Sequence, residues 1–302
     1  MGRLADPTMK LENDTIRLDI EEPGVGYVGS RFDWTGKITQ ITFRGRHTFC
    51  TEETTDPADL HGGGRGLFNE FGIDEPIGYE ECPVGDVFLK PGVGLLTRLS
   101  EEPYDFFASY PVTPGVPRWR VEDRSVSFES SCRTPRGHAI ALHKDIVLDD
   151  SGFSIDYALT NLGATTLRTN EYVHNFLAVN REPLGPDYRL TCSFPLSAGS
   201  FPESVNPGNV ASFRRDCALW SQAPTSQFFF GGLHPGADEP LRWRLEHTRQ
   251  QLAIQESVGF AVQRFNLWGA GHVVSPELFK AIEIPAGRTG RWSRSYQILT
   301  GR

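Results

Sequence analysis

The chain has 302 residues, of which 38% are hydrophobic and 23% are charged, with a net charge of −8 and a pI near 5.5. This composition is typical of a globular protein, and no apolar run approaches the roughly 18 residues that a membrane-spanning helix requires. The acidic balance argues against a nucleic-acid partner, because nucleic-acid-binding proteins usually present a basic surface.

The N-terminal segment "MGRLADPTMKLEND" lacks the apolar core of a secretory signal. The five cysteines are widely spaced and form no C-x-x-C pair, which is typical of a reducing compartment. We therefore expect a cytoplasmic protein that binds neither membranes nor nucleic acid. The sequence does not predict an oligomeric state.

The strand-like segments are short and are separated by glycine and proline, of which the chain has 31 and 21. In chain order they are TIRLDI, KITQITF, SVSFESSC, AIALHKDIVL, FSIDYALTN, LRTNEYVHNFLAV, QFFFGGL, LRWRLEH, FAVQRFNLW, KAIEIPA and WSRSYQIL. Several alternate apolar and polar residues; Phe153, Ile155, Tyr157 and Leu159 share one face of such a strand. The sequence predicts a mainly β protein with two packed antiparallel sheets, in one domain over residues 1–302.

Residues 53–120 are rich in Gly, Pro, Asp and Glu, which is typical of long loops that carry binding or catalytic groups. Within them, three glycines follow His61, and Arg65, Asn69 and Glu70 come soon after. Glycines allow a close backbone approach to a ligand, and the polar side chains can hydrogen-bond to sugar hydroxyls. The Gly-Lys-Ser/Thr ending of a phosphate-binding loop is absent. The segment is therefore either a sugar-binding loop or a surface turn with solvated charges.

The stretch "TNEYVHNFLAVN" at 169–180 places a glutamate, a histidine and three asparagines in an otherwise apolar strand. Burying such groups without partners costs roughly 1–3 kcal/mol each. Unless a bulge intervenes, alternation puts Glu171 and His174 on opposite faces, so we expect only one of them to line a given pocket. The other needs a structural partner such as an arginine. A strand histidine can also be a hydrogen-bonded core residue.

The stretch "GHVVSPELFKAIEIPAG" at 271–287 places Glu277 directly after a proline, between two apolar strand pieces. We expect the chain to bend there and to aim the carboxylate inward. Partial burial would raise the pKa of Glu277 and make it a better proton acceptor near neutral pH. The alternative is an exposed loop acid.

The order HGGGRG, then LTN…TTLRTNEYVHNF, then SPELF…IEIPAG…WSRSYQI resembles the aldose 1-epimerase, or galactose mutarotase-like, superfamily. The likeness extends roughly from Thr15 to Leu299. It implies a β-supersandwich of two large antiparallel sheets with a sugar cleft on the concave side. It also implies His61 in the family's His-Gly-Gly position, Glu277 at its late glutamate, and either Glu171 or His174 at its central histidine.

An aldose changes anomer when one group removes the C1 hydroxyl proton and another protonates the ring oxygen. We assign Glu277 as the base and His174 as the acid, with His61 binding the sugar or sharing the acid role. Each such group contributes about 10²–10⁴-fold, so no metal or organic cofactor is expected.

Guanidinium and carboxylate groups hydrogen-bond well to adjacent sugar hydroxyls. The candidate substrate-binding residues are therefore Arg31, Glu70, Glu171 and Arg65. The expected activity is an isomerase of carbohydrate metabolism that interconverts the anomers of a monosaccharide or sugar derivative. The alternatives are a carbohydrate-binding protein without turnover, and a lyase or hydrolase. The last of these would need a longer groove and usually an added helical domain.

Overall fold

The computed structural model describes residues 8–56, 63–236 and 240–301. The first strands are β1 (Thr8–Glu12), β2 (Ile16–Glu21), β3 (Lys37–Phe43), β4 (His47–Thr48), β5 (Gly66–Phe71), β6 (Val87–Lys90), β7 (Gly94–Thr97) and β8 (Val112–Pro114). The next are β9 (Arg118–Val121), β10 (Ser125–Arg133), β11 (Ala139–Leu148), β12 (Gly152–Asn161), β13 (Leu167–Phe176), β14 (Tyr188–Cys192), β15 (Glu203–Val205) and β16 (Ala211–Arg214). The last are β17 (Cys217–Trp220), β18 (Phe228–Leu233), β19 (Leu241–His247), β20 (Leu252–Val258), β21 (Arg264–Ala270), β22 (Val273–Ile284) and β23 (Thr289–Thr300).

Within the described residues, three short 3-10 helices complete the secondary structure: Val179–Arg181, Ala198–Ser200 and Pro207–Asn209. None of the helices in the described part of the chain has the length and apolar character to cross a membrane.

Two antiparallel sheets of ten strands each make up most of the molecule. The first sheet has the order β1-β2-β3-β5-β13-β22-β21-β18-β15, with β4 attached to β3. The second has the order β16-β17-β14-β19-β20-β23-β12-β11-β10-β9. Strands β6, β7 and β8 form a separate small sheet. The predicted mainly β class and the two large antiparallel sheets are confirmed.

The main apolar core takes side chains from both large sheets. In β12, the predicted face of Phe153, Ile155, Tyr157 and Leu159 is buried in it, and the polar residues Ser154, Asp156 and Thr160 that alternate with them are partly exposed. Alternating burial of this kind is what the two-residue period of a strand produces.

A second cluster of buried apolar side chains covers part of the opposite, outer face of the first sheet. Alternation along β5 and β13 accounts for it, because Leu67 and Val173 belong to the main core, whereas Phe68 and Phe176 belong to the second cluster. The small sheet contributes Phe88 to the same cluster. The first sheet is thus buried on both faces near its centre, where β5 and β13 lie side by side.

Each of the eleven segments predicted as strands overlaps an observed strand. The omissions include β5 to β8, which lie in the segment 53–120 that was interpreted as loops, the strands β1 and β14, and β20, whose sequence is LAIQESV. Strand β5 follows a run of glycines and begins at Gly66 in a left-handed backbone conformation, φ 67°. Because these glycines are typical of a loop, the sequence does not predict β5, whose six residues are all buried.

Candidate functional site

A cavity of about 740 Å³ opens on the outer face of the first sheet. Its lining includes Arg31, Tyr172, His174, Arg264, Trp268 and Glu277. Two other depressions, of about 860 and 1010 Å³, are lined largely by strands of the second sheet. The histidine of the first of these, His143, has a side chain that is 41% exposed, whereas the side chains of His174 and Glu277 are each 5% exposed. A buried acid and a buried histidine facing one cavity make it the best candidate for chemistry.

Strands β13 and β22 position these two side chains. The strands pair up to Glu171 and pair again at Leu177, with the same register on both sides of the interval. His174 therefore lies directly opposite Glu277, where side chains of neighbouring strands are close enough to interact. The Nε2 atom of His174 is 3.4 Å from Oε1 of Glu277.

The regular ladder between β13 and β22 is interrupted beside Pro276, which has no N–H to donate. Side chains supply the missing hydrogen bonds. The amide of Asn175 donates to the carbonyl of Pro276 at 2.7 Å, and the backbone N–H of Asn175 donates to the hydroxyl of Ser275 at 2.9 Å.

The predicted bend at Pro276 is wrong, because β22 continues unbroken through this residue. The alternation of a continuous strand, not a bend, directs Glu277 into the cavity. The proline acts instead on the pairing with the neighbouring strand.

Glu277 is the cavity's buried acid, with 4% of the residue exposed. The hydroxyl of Ser275 donates to its Oε1 atom at 3.1 Å. Burial raises the pKa of Glu277 to about 8, although the hydrogen bond from Ser275 and the positive charge of Arg31 act in the opposite direction. The carboxyl group is therefore mostly protonated at neutral pH.

His174 is held by aromatic rings, stacked on Phe176 with centroids 4.0 Å apart and meeting the edge of Trp268 at 5.2 Å. Burial, and then the positive charge of Arg31, keep the pKa of His174 well below its usual value, so the ring is neutral at pH 7. Its Nδ1 atom is buried and has no hydrogen-bond partner among the described residues.

Arg31 reaches the cavity from the loop before β3 and is fixed by three groups. Its Nε atom donates to Glu70 at 2.8 Å, and its other nitrogens donate to the hydroxyl of Tyr172 at 3.1 Å and to Glu53 at 3.3 Å. The hydroxyl of Tyr172 also donates to Glu70 at 2.6 Å. Glu70 is fully buried behind the cavity wall, where it holds Arg31 and Tyr172. Of the two sequence candidates Arg31 and Glu70, only Arg31 lines the cavity.

Glu171 lies on the opposite face of β13 from His174, as the alternation predicts, and points between the two large sheets. Its carboxylate accepts hydrogen bonds from Arg294 at 2.8 and 3.1 Å. Arg294 also donates to Glu256 at 2.6 Å, and all three side chains are fully buried. The sequence candidate Glu171 is thus a structural ion-pair partner that does not reach the cavity.

Arg65 is paired with Glu21 and its side chain is 48% exposed. Glu21 also binds the buried ammonium of Lys37 at 2.5 Å. Arg65 does not line the cavity. The remaining candidate, His61, lies outside the described residues. Of the candidate site residues predicted from the sequence, the structure thus brings three together at this cavity: His174, Glu277 and Arg31.

Three cavity residues that were not singled out from the sequence lie at alternate positions of β21: Arg264, Asn266 and Trp268. Arg264 is paired with Asp74 at 2.6 Å, and Asn266 accepts a hydrogen bond from the backbone N–H of Gly232 at 2.8 Å. Polar side chains at every second position of an apolar strand drew attention to β13. The segment RFNLW has the same pattern, so Arg264 and Asn266 could have been selected from the sequence.

The described residues include no group of three or more His, Cys, Asp or Glu side chains arranged to hold a metal ion. The two arginines that line the cavity are both paired with carboxylates, Arg31 with Glu70 and Arg264 with Asp74. Neither guanidinium is therefore an uncompensated positive charge that would attract an anionic ligand.

Comparison of the sequence with protein-family models and with curated proteins finds no match. The structure, in contrast, resembles a proposed aldose 1-epimerase from Escherichia coli K12 over 97% of this chain and 99% of that one, with a TM-score of 0.60 and 14% identity. The chain has the galactose mutarotase-like fold.

Two further structures with this fold are a galactose mutarotase-related enzyme from Lactobacillus acidophilus and a galactose mutarotase-like protein from Clostridium acetobutylicum. Each is 10% identical to this chain, with a TM-score of 0.59, and each match covers 97% of this chain. The matches cover 97% of the Lactobacillus protein and 95% of the Clostridium protein. Such distant likeness establishes the galactose mutarotase-like fold alone. Function has to be argued from the cavity.

Proposed function

We propose that the protein is an aldose 1-epimerase, which interconverts the α and β anomers of a reducing sugar by acid–base catalysis. The observation that carries this proposal is the buried pair of Glu277 and His174, whose nearest oxygen and nitrogen atoms are 3.4 Å apart at the wall of one cavity. Anomer exchange requires one proton donor and one proton acceptor beside the same sugar carbon. This pair supplies both.

The pKa directions favour a particular starting state. At neutral pH Glu277 carries a proton and His174 has a free lone pair, because burial disfavours the charged form of each. In the ring-opening step, His174 accepts the proton of the C1 hydroxyl while Glu277 donates its proton to the ring oxygen. The C1–ring oxygen bond breaks and a C1 carbonyl forms. This assignment reverses the acid and base roles that the sequence alone predicts.

Ring closure uses the same two groups in the opposite sense. After rotation about the C1–C2 bond, the hydroxyl formed from the ring oxygen attacks the other face of the carbonyl and gives its proton to the carboxylate of Glu277. The imidazolium of His174 protonates the carbonyl oxygen, which becomes the new C1 hydroxyl. The pair is then back in its starting state, and no net proton is consumed. Each group is expected to contribute about 10²–10⁴-fold to the rate.

The surrounding polar groups suit a sugar. Arg31 and Asn266 line the same cavity and can donate to hydroxyl oxygens, and Trp268 offers an aromatic surface. The resemblance noted in the sequence and the distant likeness to aldose 1-epimerase-like structures support the same substrate class. We place this reaction in carbohydrate metabolism in the cytoplasm.

Polarimetry on freshly dissolved α anomers of a panel of pentoses, hexoses and hexose phosphates tests the proposal. We expect at least one sugar to reach anomeric equilibrium faster with enzyme than in buffer alone. No acceleration with any sugar would refute the epimerase. If sugar binding were retained in that case, the protein would be a carbohydrate-binding protein with the same fold.

A further inference from the structure

The cavity extends well beyond the Glu277–His174 pair. Besides loop residues, its lining includes side chains from five adjacent strands of the first sheet, β13, β22, β21, β18 and β15. Four inter-strand spacings of about 4.8 Å separate the first of these from the last, which gives a length of roughly 19 Å. This is longer than one pyranose ring. The acid–base pair occupies only the β13–β22 end.

The far end of the cavity has an apolar floor. Phe229 on β18 and Val205 on β15 line it, and Val205 is 54% exposed. The ring of Phe229 lies over the backbone of Gly231, where a Cβ atom would come within 2.5 Å of the ring. The register of β18 against β21 shifts at this glycine, between Phe230 and Leu233, where the side chain of Asn266 accepts a hydrogen bond from the N–H of Gly232. Bulges that shift the register in this way redirect side chains near functional sites.

A second apolar surface borders the cavity from the loop between β7 and β8. Phe106 and Phe107 have ring centroids 4.0 Å apart, and Phe107 is 76% exposed. The guanidinium of Arg31 lies 4.8 Å from the ring of Phe106. Among the described residues, two of the three most exposed large apolar side chains, Phe107 and Val205, line this cavity, and the third, Val116, lines one of the other depressions. Exposed apolar side chains gathered around one concave surface are typical of a ligand-binding site.

The polar groups at the far end fit a neutral ligand with hydroxyl groups. Glu203 and Gln227 line the cavity beside Val205 and Phe229. A carboxylate and an amide hydrogen-bond to hydroxyls, whereas the flat C–H face of a sugar ring packs on aromatic and aliphatic side chains. The carboxylate of Glu203 also disfavours a phosphate group at this end, because like charges repel.

We propose that the far end is a second sugar subsite and that the natural substrate is a reducing saccharide of at least two rings. The reducing ring is placed at Glu277 and His174, near the Phe106–Phe107 pair that packs beside Arg31, and the next ring packs on Phe229 and Val205. This inference rests on the proposed epimerase activity for its kinetic consequence. The binding subsite itself does not require turnover.

The test compares glucose, maltose, cellobiose, lactose and glucose 6-phosphate by polarimetry and by calorimetric binding. We expect kcat/KM for at least one disaccharide to exceed that for glucose by about tenfold. V205S is expected to lower the affinity for that disaccharide by threefold or more and to reduce the disaccharide-to-glucose ratio of kcat/KM similarly. V121S is the matched control, because Val121 is a 48% exposed valine on β9, the edge strand of the other sheet. It should leave both quantities unchanged.

The outcomes separate this inference from the proposed function. If kcat/KM for glucose equals or exceeds that for each of the three disaccharides, or if glucose 6-phosphate is preferred, the second subsite is overturned and the epimerase proposal stands. If a disaccharide binds and V205S weakens that binding, but no sugar shows anomer exchange, the result would support the subsite and refute the epimerase. Absence of both binding and exchange would refute both.

Discussion

Glu277 and His174 occupy directly opposed positions on two neighbouring strands that are not regularly hydrogen-bonded to each other at that point. Pro276 has no N–H to donate to β13, and the side chains of Asn175 and Ser275 supply hydrogen bonds there instead. Ser275 lies two residues before Glu277 on the same face of β22, and its hydroxyl donates to the carboxyl group of Glu277. The local pairing of two strands determines the position of the candidate acid, whereas burial is the main cause of its raised pKa.

Replacing either member of the pair should abolish most of the exchange rate. E277Q and H174N are each expected to lower kcat by about 10²–10⁴-fold, because each removes one of the two proton-transfer groups. The measurement is the initial rate of optical rotation change with the best substrate. E283Q is the matched control, since Glu283 lies on the same strand β22 with its side chain 62% exposed and paired with Arg168. A full rate in E277Q would exclude Glu277 from catalysis.

The pH profile of kcat/KM should be bell-shaped. The active free enzyme carries a protonated Glu277 and a neutral His174. Activity should therefore fall above the pKa of Glu277, which burial raises to about 8, and fall again in acid where His174, with its lowered pKa, becomes protonated. Polarimetry with the buffer-catalysed rate subtracted at each pH measures the profile. A rate that rises through pH 8 to a plateau would instead assign the ionised carboxylate of Glu277 as the initial base.

Removing the hydroxyl of Ser275 should move the alkaline limb of that profile. Its hydrogen bond stabilises the ionised carboxylate, so S275A is expected to raise the pKa of Glu277 further, by up to about one unit. The limb should shift to higher pH. S257A, on β20 of the other sheet, is the control. An unchanged or lowered limb in a folded S275A variant would contradict this positioning role.

The ion-pair network between the sheets should stabilise the fold. R294M leaves the buried carboxylates of Glu171 and Glu256 without their shared cation, so we expect the free energy of unfolding to fall by about 3–5 kcal/mol. Urea denaturation measures the change. R168M is the control, because Arg168 forms an exposed pair with Glu283 and its loss should change stability by less than about 1 kcal/mol. Equal effects of the two substitutions would contradict the structural role of Glu171.

The local features of the site were predictable from the sequence. The two-residue period of β13 separates Glu171 from His174, and the requirement that a buried charge be paired predicts a partner such as an arginine for the one that does not line the pocket. That partner is Arg294, which lies 123 residues further along the chain. No local pattern identifies it, because the contact depends on how the two sheets pack.

Long-range pairing also limits what the sequence can say about the cavity. The position of Glu277 opposite His174 follows from the register of β13 against β22, which is set by contacts along both strands. The roles of Glu70 and Arg65 could not be read from their residue types, since each is determined by its ion-pair partner. The loop residues Phe106 and Phe107 carry no periodic signal at all. Their contribution becomes visible only in the folded chain.

The most direct test of the central claim is exchange spectroscopy by ¹H NMR on a sugar at anomeric equilibrium at pH 7, with the wild-type protein, E277Q and E283Q. We predict transfer of magnetisation between the α and β anomeric protons with the wild type and E283Q, and transfer no faster than in buffer with E277Q. Equal transfer in all three, or none beyond buffer with the wild type on any monosaccharide or disaccharide, would contradict the proposal that Glu277 and His174 catalyse anomer exchange.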